Sequence, residues 1–452
     1  MRLAAFPRCL LAPIALVAAC ASTPPAGTPI DRGAAVASFD QVWKLVEETD
    51  VDPAHDGVDW NAVQAEFRPR VEACRTREAL RSTLSEMLER LGRSHYGILA
   101  ESPSTQQASA RTEGGGTFGL DLRVIEDRIV VTGVEPGSPA AQAGVTIGWT
   151  VDRLDGRDPM TTVPPADAAG PMARYARDAF AQMLDAGEPA TSQALGFRDP
   201  EGRAHEPALR RMAEPGTATQ IGLLRAFQAR CDDRWLDPAE LRALGLPAER
   251  RVGLIRFNVW MPTIAGDIDA AVDRHRSDDG IVLDLRGNPG GVGAMAMGVA
   301  GHFLDREDSL GAMRTRDATL EFKANPRRST SDGRVVEPYA GPLVIVVDPL
   351  TASTSEIFAA GLQSLGRARV VGRTSAGAAL PAQMRQLASG DGVLFAFADF
   401  TRPDGRRIEG VGVVPDETTG ERIASWRSGT DPDLAAAARW IESRRAGGGT
   451  SP

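Results

Sequence analysis

The sequence predicts an α/β protein with a helical N-terminal domain, a small β domain, and an α/β domain whose sheet is largely parallel. Three successive patterns along the 452 residues support this prediction. Apolar residues first recur with helical spacing, short strands and turns follow, and apolar strands then alternate with helices. Such an alternation is typical of a parallel sheet covered by helices on both faces. We place the domains at 34–100, 113–212 and 222–425, with a C-terminal helix and a disordered tail over 430–452.

The first residues are predicted to direct the protein across a membrane. Arg2 and Arg8 precede an apolar run that is too short to span a bilayer. Small residues before Cys20 resemble a bacterial lipobox, so we expect a signal peptide over 1–19, lipidation of Cys20 and a flexible tether over 20–33. This resemblance implies the periplasmic face of the outer membrane, with the lipid anchor as the only contact to the membrane. The alternative is an unlipidated protein that is cut nearby.

The composition excludes several classes of function. With a net charge of -9, the chain lacks the clustered positive charge that nucleic-acid binding needs. No CxxC pair and no phosphate-binding Gly-Lys-Ser or Gly-Lys-Thr motif occurs, so we expect no metal and no cofactor. Apart from Cys9 and Cys20, the cysteines are Cys74 and Cys231, which in an oxidising compartment could either form a disulfide or stay free.

Two apolar runs with helical spacing form the predicted N-terminal domain. The members of each run recur three or four residues apart, as the buried side of a helix requires. The runs are Val36, Phe39, Val42, Trp43 and Val46, and then Leu80, Leu84, Met87, Leu88 and Leu91. The second run stops at Gly92, a residue type that commonly ends helices.

The β domain contains a segment that resembles PDZ domains. Residues 134–145 run through the end of a strand, a Pro-Gly turn, an Ala-rich helix and a glycine stop. A PDZ domain binds a peptide carboxy-terminus by adding it as a strand to its own sheet. By this resemblance, backbone N–H groups of one loop would hold the peptide carboxylate, and that loop consists of Phe118, Gly119, Leu120, Asp121 and Leu122. The alternative is a small β domain that serves only in packing.

In the third domain, two turns each follow an apolar strand and open a helix. The first turn, residues 286–291, ends in Gly290 and Gly291, whose backbone N–H groups suit the binding of an oxyanion. The second turn, residues 348–357, places Ser353 at the start of a helix, where the helix dipole stabilises negative charge. Taken alone, the glycines could serve only the turn, and Ser353 could be an ordinary helix cap.

These two turns, in this order and after a PDZ-like domain, resemble the carboxyl-terminal-processing (tail-specific) protease family. The nucleophile region of that family reads like Ser-Ala-Ser-Ala-Ser-Glu-Ile, and this chain has Thr351-Ala352-Ser353-Thr354-Ser355-Glu356-Ile357. The resemblance covers roughly 34–421. It implies a ClpP/crotonase-like catalytic domain with Ser353 as the nucleophile, and an oxyanion hole built from the N–H groups of Thr354 and of Gly290 or Gly291.

One departure from the family concerns the general base. Bacterial members usually pair the serine with a lysine in a Thr-Phe-Gly-Lys-Gly segment, but the matching segment here is Ser375-Ala376-Gly377-Ala378-Ala379. The only lysines are Lys44 and Lys323, and neither lies in a family motif. A serine hydroxyl still needs a base, and histidine titrates in the right range.

Among the histidines, His95 has the position that best fits a base. Its place beside Ser94 in the N-terminal part resembles the tricorn core protease, a relative with a Ser-His-Ser-Glu tetrad. Glu409 matches the glutamate of that tetrad, which stands just before a final Gly-Val-x-Pro-Asp segment. The resemblance implies that Ser353 attacks, that His95 moves the proton, and that Ser94 and Glu409 orient His95. The alternatives are a structural His95 at a helix end and a Glu409 that is a surface carboxylate.

The sequence therefore predicts a serine endopeptidase that cleaves unfolded or C-terminal segments of envelope proteins, with polypeptides as its partners. Two alternatives stay open. Because the family lysine is missing, the fold could act as a non-catalytic binding adaptor, since retinoid-binding relatives use the same fold for ligand transport. An acyl-enzyme site does not require an amide, so the protein could also be an esterase.

Overall fold

The computed structural model describes residues 27–100, 115–165 and 170–446. The predicted signal peptide, Cys20 and most of the tether lie outside these residues, as does the predicted tail beyond 446. Within the described ranges, no helix combines the length and the apolar character that crossing a bilayer would require.

Three helices form the N-terminal domain, namely α1 (Arg32–Thr49), α2 (Trp60–Ala73) and α3 (Arg77–Glu89). Each begins after a side chain that accepts a hydrogen bond from a first-turn N–H group, and these caps are Asp31, Asp59 and Thr76. The two predicted apolar runs lie in α1 and α3. Helix α2 was not predicted, although its buried residues carry the same spacing.

A short strand joins this domain to the C-terminal domain. The sheet consists of β1 (Gly97–Leu99), β19 (Gly392–Ala396) and β18 (Ala382–Gln386), all antiparallel. The core of the N-terminal helices continues into this sheet, since Phe39 and Phe395 belong to one buried cluster. Residues 92–96, between α3 and β1, are thereby held against the C-terminal domain.

A five-stranded antiparallel sheet in the order β3-β4-β5-β6-β7 forms the middle domain. Its strands are β3 (Leu120–Ile125), β4 (Arg128–Val134), β5 (Thr150–Leu154), β6 (Leu195–Arg198) and β7 (Ala204–His205). The other elements are β2 (Gly116–Thr117), β8 (Met212–Ala213), α4 (Pro139–Gln142) and α5 (Pro171–Met183). Helix α5 packs against β3 and was not predicted, because its buried side consists mainly of alanines, Tyr175 and Asp178 instead of an apolar stripe. PDZ identity stays a prediction.

The main sheet of the C-terminal domain has six strands in the order β11-β12-β13-β16-β17-β21. They are β11 (Cys231–Trp235), β12 (Val252–Phe257), β13 (Gly280–Asp284), β16 (Leu343–Val347), β17 (Arg369–Gly372) and β21 (Glu417–Thr418). The last five pair in parallel, and β11 pairs antiparallel at one edge. Every residue of β13 and β16 is buried, as expected for the centre of a parallel sheet.

Helices cover both faces of this sheet. One buried cluster joins one face to α7 (Ala265–His275), α8 (Ala294–Ala300) and α9 (Thr354–Ser364), and another joins the opposite face to α6 (Pro238–Ala243) and α11 (Pro432–Ala446). The remaining elements are β9 (Thr217–Thr219), β10 (Phe227–Ala229), β14 (Asp308–Arg314), β15 (Thr319–Ala324), β20 (Asp399–Thr401) and α10 (Ile423–Arg427). The mixed α/β fold is confirmed, whereas the ClpP/crotonase-like relationship stays a prediction.

Cys74 and Cys231 are both free, so the possible disulfide between them does not form. Cys74 lies in the core of the N-terminal helices, where its Sγ is 3.4 Å from the carbonyl oxygen of Arg70. Cys231 opens β11 and packs against the core of the C-terminal domain. The two thiols therefore belong to different cores, a separation that the spacing of cysteines in a sequence does not reveal.

Strand β3 also holds the middle domain to the C-terminal domain. Its apolar side, which includes Leu120 and Leu122, lies in the middle-domain core. On its polar side, Asp121 forms an ion pair with Arg256 at 2.9 Å, and Arg123 pairs with Glu421. The Arg123–Glu421 pair is buried, and removing one partner of such a pair costs about 3–5 kcal/mol because the other charge stays buried and unpaired, whereas the Asp121–Arg256 pair is partly exposed. Both faces of β3 are therefore occupied, one by the middle-domain core and the other by ion pairs with the C-terminal domain.

Candidate active site

The nucleophile turn holds Ser353 in an unusual backbone conformation. Ser353 directly precedes α9 and has a φ of 56° and a ψ of -120°. Residues other than glycine rarely adopt such a positive φ, and strain of this kind is found preferentially at functional sites. The neighbours Ala352 and Thr354 are each 2% exposed, whereas Ser353 is only partly buried. The turn thus presents one side chain, that of Ser353, at the surface of the site.

The two predicted turns meet, and Asn288 links them. The N–H of Ala352 donates to the backbone carbonyl of Asn288 at 3.0 Å, and the Ser355 hydroxyl donates to the same oxygen at 3.2 Å. The Asn288 side chain accepts a hydrogen bond from the N–H of Gly290 at 3.0 Å. This last bond corrects one expectation, because the N–H of Gly290 is already used and is not directed at an oxyanion.

Both positions in the first turn require glycine, because neighbouring atoms lie too close to leave room for a side chain. A Cβ atom on Gly290 would lie 2.6 Å from Ser353 Cβ, and one on Gly291 would lie 2.3 Å from the carbonyl oxygen of Trp260. Their φ values of 99° and 141° are also in the region that favours glycine. Gly290 therefore serves the site by allowing the first turn to lie directly against the nucleophile.

Two backbone N–H groups beside Ser353 are left for an oxyanion. Across the hydrogen bonds of the described residues, the N–H groups of Gly291 and Thr354 donate to no protein acceptor. Thr354 is the first residue of α9, where the helix dipole adds partial positive charge. The Thr354 hydroxyl donates to the Gly291 carbonyl at 2.9 Å and joins the two residues. These are two of the three predicted oxyanion donors.

A buried carboxylate, Glu356, shapes the nucleophile turn from inside. It accepts hydrogen bonds from the N–H groups of Ser353 at 3.0 Å, Gly377 at 2.7 Å and Ala378 at 2.9 Å. The Ser375 hydroxyl also donates to it at 2.5 Å. Burial raises the pKa of Glu356 to about 7, and the four donors oppose that shift. This role of Glu356 was not predicted from the sequence, although Ser-x-x-Glu at a helix start is a known capping pattern.

Ser94, His95 and Glu409 form one hydrogen-bonded group, as the resemblance implied. Ser94 Oγ lies 2.7 Å from His95 Nδ1 and donates to Glu409 Oε2 at 2.9 Å. The N–H of Ser94 donates to Glu409 Oε1 at 2.8 Å. Ser94 and His95 are buried, so this contact is shielded from water. His95 has a φ of 59°, which makes it a second strained residue in the site.

This group sets which nitrogen of His95 is free. An ionised carboxylate can only accept hydrogen bonds, so the Ser94 hydroxyl is the donor in its hydrogen bond to Glu409. Ser94 Oγ then accepts from His95 Nδ1–H, which leaves His95 Nε2 as an unprotonated base. Burial lowers the pKa of His95 to about 4, and burial also raises the pKa of Glu409 against its three donors. His95 is therefore neutral at pH 7, as a general base must be.

Glu409 also joins the His95 segment to the nucleophile turn. Its Oε2 accepts the N–H of Ala379 at 3.0 Å, and the carbonyl of the preceding Ala378 accepts the N–H of Ser353 at 2.8 Å. Among the residues that the structure describes, no direct hydrogen bond joins His95 to Ser353. Catalytic hydrogen bonds are often long without substrate. The structure thus brings the side chains of Ser94, His95 and Glu409 into direct contact and ties this group to the backbone of Ser353.

The other four histidines and both lysines pair with carboxylates outside this group. His55, His205, His275 and His302 each lie within 2.9 Å of an aspartate oxygen, whereas His95 contacts its carboxylate only through Ser94. Lys44 pairs with Glu48 at 3.5 Å, and Lys323 pairs with Glu307 at 3.4 Å on the surface. Both lysines are thus paired with glutamates, whereas the His95 group is tied to the backbone of Ser353 through Glu409 and residues 378–379.

The segment before His95 is anchored by an ion pair that the sequence analysis did not find. Both terminal nitrogens of Arg93 bind the Asp50 carboxylate, one of them at 2.8 Å. His55 Nδ1 lies 2.7 Å from the same carboxylate. All three side chains are buried. Arg93 and Asp50 are 43 residues apart, and no motif spacing would have connected them.

The predicted peptide-binding residues lie at the start of β3, but their donors are occupied. The N–H groups of Phe118 and Leu120 bind the side chain of Asp185, and Asp121 pairs with Arg256. Leu122 is part of the middle-domain core. The expected open carboxylate site is therefore filled by the chain itself, through a residue that no sequence signal connected to this loop.

Two family models match parts of the chain. Residues 251–419 match the model described as "Peptidase family S41", and residues 37–89 match the one described as "Tricorn protease C1 domain". The first range contains both turns of the site. The second range lies in the N-terminal helices and ends shortly before Ser94.

Two similar relatives and one similar solved structure are named as C-terminal processing proteases or peptidases. A "Carboxyl-terminal-processing protease" of Picosynechococcus sp. is 26% identical over 401 residues, which covers 87% of this chain and 86% of the relative. "Carboxyl-terminal-processing peptidase 3, chloroplastic" of Arabidopsis thaliana is 24% identical over 388 residues, covering 83% and 67%. The solved "Photosystem II D1 C-terminal processing protease" has a TM-score of 0.55 at 20% identity, over 90% of this chain and 97% of that one. The structural likeness supports the fold alone.

Proposed function

We propose that this chain, a serine peptidase whose residues 251–419 match the model of peptidase family S41 and which is homologous to carboxyl-terminal-processing proteases, cleaves unfolded or C-terminal polypeptide segments through an acyl-enzyme on Ser353. The observation that carries the proposal is the Ser94–His95–Glu409 group. It leaves one nitrogen of a neutral, buried histidine free to act as base, and it is tied to the backbone of Ser353. The missing lysine therefore does not require a non-catalytic adaptor.

The proposed reaction proceeds in two steps. In the first, Ser353 Oγ attacks the scissile carbonyl while His95 Nε2 takes the hydroxyl proton. That proton passes to the leaving amine as the C–N bond breaks, which leaves an ester on Ser353. In the second step, water attacks the ester while His95 Nε2 takes one of its protons, and that proton passes to Ser353 Oγ as the ester C–O bond breaks and the acid product leaves. Ser94 and Glu409 act as positioning residues, because they hold His95 in one tautomer throughout.

Charge that develops on the carbonyl oxygen would be stabilised by the N–H groups of Gly291 and Thr354. Both are free of protein acceptors in the described part of the chain; Thr354 directly follows Ser353, and its hydroxyl bonds the carbonyl of Gly291. Donors fixed in this way cost no reorganisation during the reaction, and one such donor contributes about 2.7–4 kcal/mol to other serine hydrolases. An esterase would need the same groups, so peptide and ester turnover must be compared on one preparation.

We propose further that the middle domain recruits substrate tails at the loop formed by residues 117–120 and along the edge of β3. Support comes from the PDZ-like sequence pattern and from backbone N–H groups in this loop that bind a carboxylate, here that of Asp185. Addition of a peptide as an extra strand would orient its chain beside the domain that carries Ser353.

The test is cleavage of casein by a chain that begins at Ala21, compared with Ser353→Ala, His95→Ala and His205→Ala. His205 lies in the middle domain beside Asp199 and serves as the matched histidine control. We expect the Ser353 and His95 variants to lose activity by about 10⁴-fold or more, and the His205 variant to keep it. Retained cleavage in His95→Ala would rule out His95 as the base, and retained cleavage in Ser353→Ala would rule out the acyl-enzyme.

We propose the periplasmic face of the outer membrane as the location, with Cys20 carrying the lipid. The support is the run of small residues before Cys20 after a short apolar segment. Mass spectrometry of the purified full chain should show an acylated Cys20, and Cys20→Ala should release the protein from the membrane fraction. Recovery of both forms in the soluble fraction would contradict the anchor.

A further inference from the structure

The loop that should receive a peptide carboxylate already holds a carboxylate of the same chain. The N–H groups of Phe118 and Leu120 both donate to Asp185 Oδ1 at 3.0 Å, and the Thr117 hydroxyl donates to Oδ2. The N–H between them, that of Gly119, donates to Thr117 Oγ1 at 2.7 Å. Every backbone N–H from 118 to 120 is thus satisfied inside the domain.

Asp185 is held in this place by its own surroundings. It lies two residues after α5 and is only 9% exposed. Arg211 fixes the backbone there, because its Nε donates to the carbonyl of Asp185 at 2.9 Å and its Nη2 to that of Leu184 at 3.2 Å. The Arg211 guanidinium also lies 4.2 Å from the ring centroid of Phe118, so the same side chain contacts both partners of the loop.

A second carboxylate occupies the edge of β3 further along. Asp178 of α5 accepts the N–H of Val124 at 3.0 Å with one oxygen, and Arg373 with the other at 2.9 Å. A peptide that adds to a sheet edge needs such N–H groups for its own carbonyls. Asp178 and Asp185 therefore occupy backbone N–H donors at both ends of the edge of β3 that a substrate tail would use.

We propose that Asp185 is an internal ligand that closes the carboxylate loop, and that a free polypeptide carboxy-terminus binds there only by displacing it. The inference rests on the proposed recruitment of substrate tails at this loop. A terminal carboxylate and the Asp185 side chain present the same two acceptor oxygens to the same donors, so they compete for one site. A tethered group competes at an effective concentration on the order of millimolar or higher, so weakly binding tails are rejected.

Charge prevents both carboxylates from occupying the loop together. Asp185 already lies close to Glu214, whose pKa is raised to about 7 by burial and by the charge of Asp185. A third carboxylate in this region would be a like charge with little water to screen it, which is strongly unfavourable. Binding of a tail therefore requires Asp185 to leave the loop.

The test measures peptide binding to the full chain carrying Ser353→Ala, so that cleavage does not interfere. The probe is a short fluorescein-labelled peptide that ends in Leu-Ala-Ala with a free carboxylate, and its comparison is the same peptide ending in a carboxamide. Binding by fluorescence anisotropy is compared for this parent, Asp185→Ala and Asp185→Asn. Asp199→Ala is the matched control, because Asp199 is another buried carboxylate of the middle domain that accepts a backbone N–H, that of Arg203 at 2.8 Å.

We expect Asp185→Ala to bind the free-carboxylate peptide roughly tenfold or more tightly than the parent, with Asp185→Asn between them and Asp199→Ala unchanged. The carboxamide peptide should bind weakly to every form. Equal affinity of the parent and both Asp185 variants would overturn the internal ligand, and Asp185→Asn decides if Asp185→Ala does not fold. If no form binds the free-carboxylate peptide, tail recruitment at this loop fails as well, while casein cleavage still tests the peptidase separately.

Discussion

The proposed active site has two halves, organised by the buried Glu356 and the partly buried Glu409, and they differ in how far apart their parts lie in the chain. Glu356 binds Ser353, Ser375 and Ala378, and the most distant of its partners is 22 residues away. Glu409 binds Ser94, which is 315 residues away and comes from the N-terminal domain. The nucleophile half can therefore form within one domain, whereas the base half exists only when the domains are docked.

The two glutamates also differ in what they control. Glu356 receives three backbone N–H groups and one hydroxyl, so it fixes the shape of a turn. Glu409 acts on His95 through the Ser94 hydroxyl, so it fixes the position of a proton. Loss of contacts in the first half should mainly lower stability, and loss of contacts in the second half should mainly lower the rate of the chemical step.

The largest contrast is expected between Ser94→Ala and Ser375→Ala, two buried serines that each donate to one of the glutamates. Ser94→Ala removes the group that sets the His95 tautomer, so kcat should fall by about 100-fold with little change in stability. Ser375→Ala leaves the N–H of Val413 without its partner and removes one of the two hydrogen bonds to Glu356 Oε1, which should lower the free energy of unfolding by about 2 kcal/mol.

The measurement is kcat on a fluorogenic peptide together with the free energy of unfolding in urea. For Ser375→Ala, kcat of the folded enzyme should stay within about tenfold of the parent, since no group on the proton path is lost. If the two serine variants lose kcat equally, the division into a shaping half and a proton-holding half is wrong.

Most of the nucleophile half could be predicted from the sequence, because its parts are local. The glycine turn, Ser353 at the helix start and the strands before them all have short-range signals. In the base half, Ser94, His95 and Glu409 could be named only through a family resemblance, since nothing in their own spacing connects them. Asp50 and Asp185 were missed, because each acts on a loop from a distant position to which no pattern points.

The fall of kcat/KM at acid pH should reveal the lowered pKa of the buried His95. With a pKa of about 4, His95 stays mostly neutral at pH 5, whereas an exposed histidine with a pKa of about 6.5 would be about 97% protonated. We therefore expect kcat/KM at pH 5 to be about 30-fold higher than an ordinary histidine base would allow. A limb that falls near pH 6.5 would show that His95 is solvated in the working enzyme.

The same shift predicts how stability changes with pH. Between pH 6.5 and 4 the unfolded chain binds a proton at His95 and the folded chain does not, so stability is lost as the pH falls through this window. The maximum loss from this one group is roughly 3 kcal/mol. His95→Gln lacks the group, so its Tm should fall less than that of the parent between pH 6.5 and 5. Parallel losses in the two proteins would assign the acid sensitivity to other groups.

A smaller effect is expected from Asp50→Asn, which weakens the anchor of the base half. The amide nitrogen would face the Arg93 guanidinium in place of a carboxylate oxygen, so the Arg93–Ser94–His95 segment should lose its fixed position. We expect kcat to fall by about tenfold with KM unchanged, because misplacement of a reacting group affects the chemical step.

Asp56→Asn is the control for Asp50→Asn. Asp56 lies 3.4 Å from Arg93 Nε and its side chain is 52% exposed, so its charge is screened and its loss should have little effect. A rise in KM with kcat unchanged, or an equal effect of both variants, would show that Asp50 does not position His95.

No gain of activity is expected when a lysine is placed in the nucleophile half. Ala378 lies in the segment where bacterial relatives usually carry their lysine, but it is buried in one cluster with Tyr175, Leu350 and Ala352. Ala378→Lys should therefore lower Tm strongly, because the space is filled and an ammonium is costly to bury, even beside the Glu356 carboxylate that accepts the N–H of Ala378. The exposed Ala388→Lys should leave Tm unchanged. In a His95→Ala background, Ala378→Lys should restore no cleavage; restored cleavage would mean that the local half can supply its own base, and that docking of the N-terminal domain is not what makes this site a catalyst.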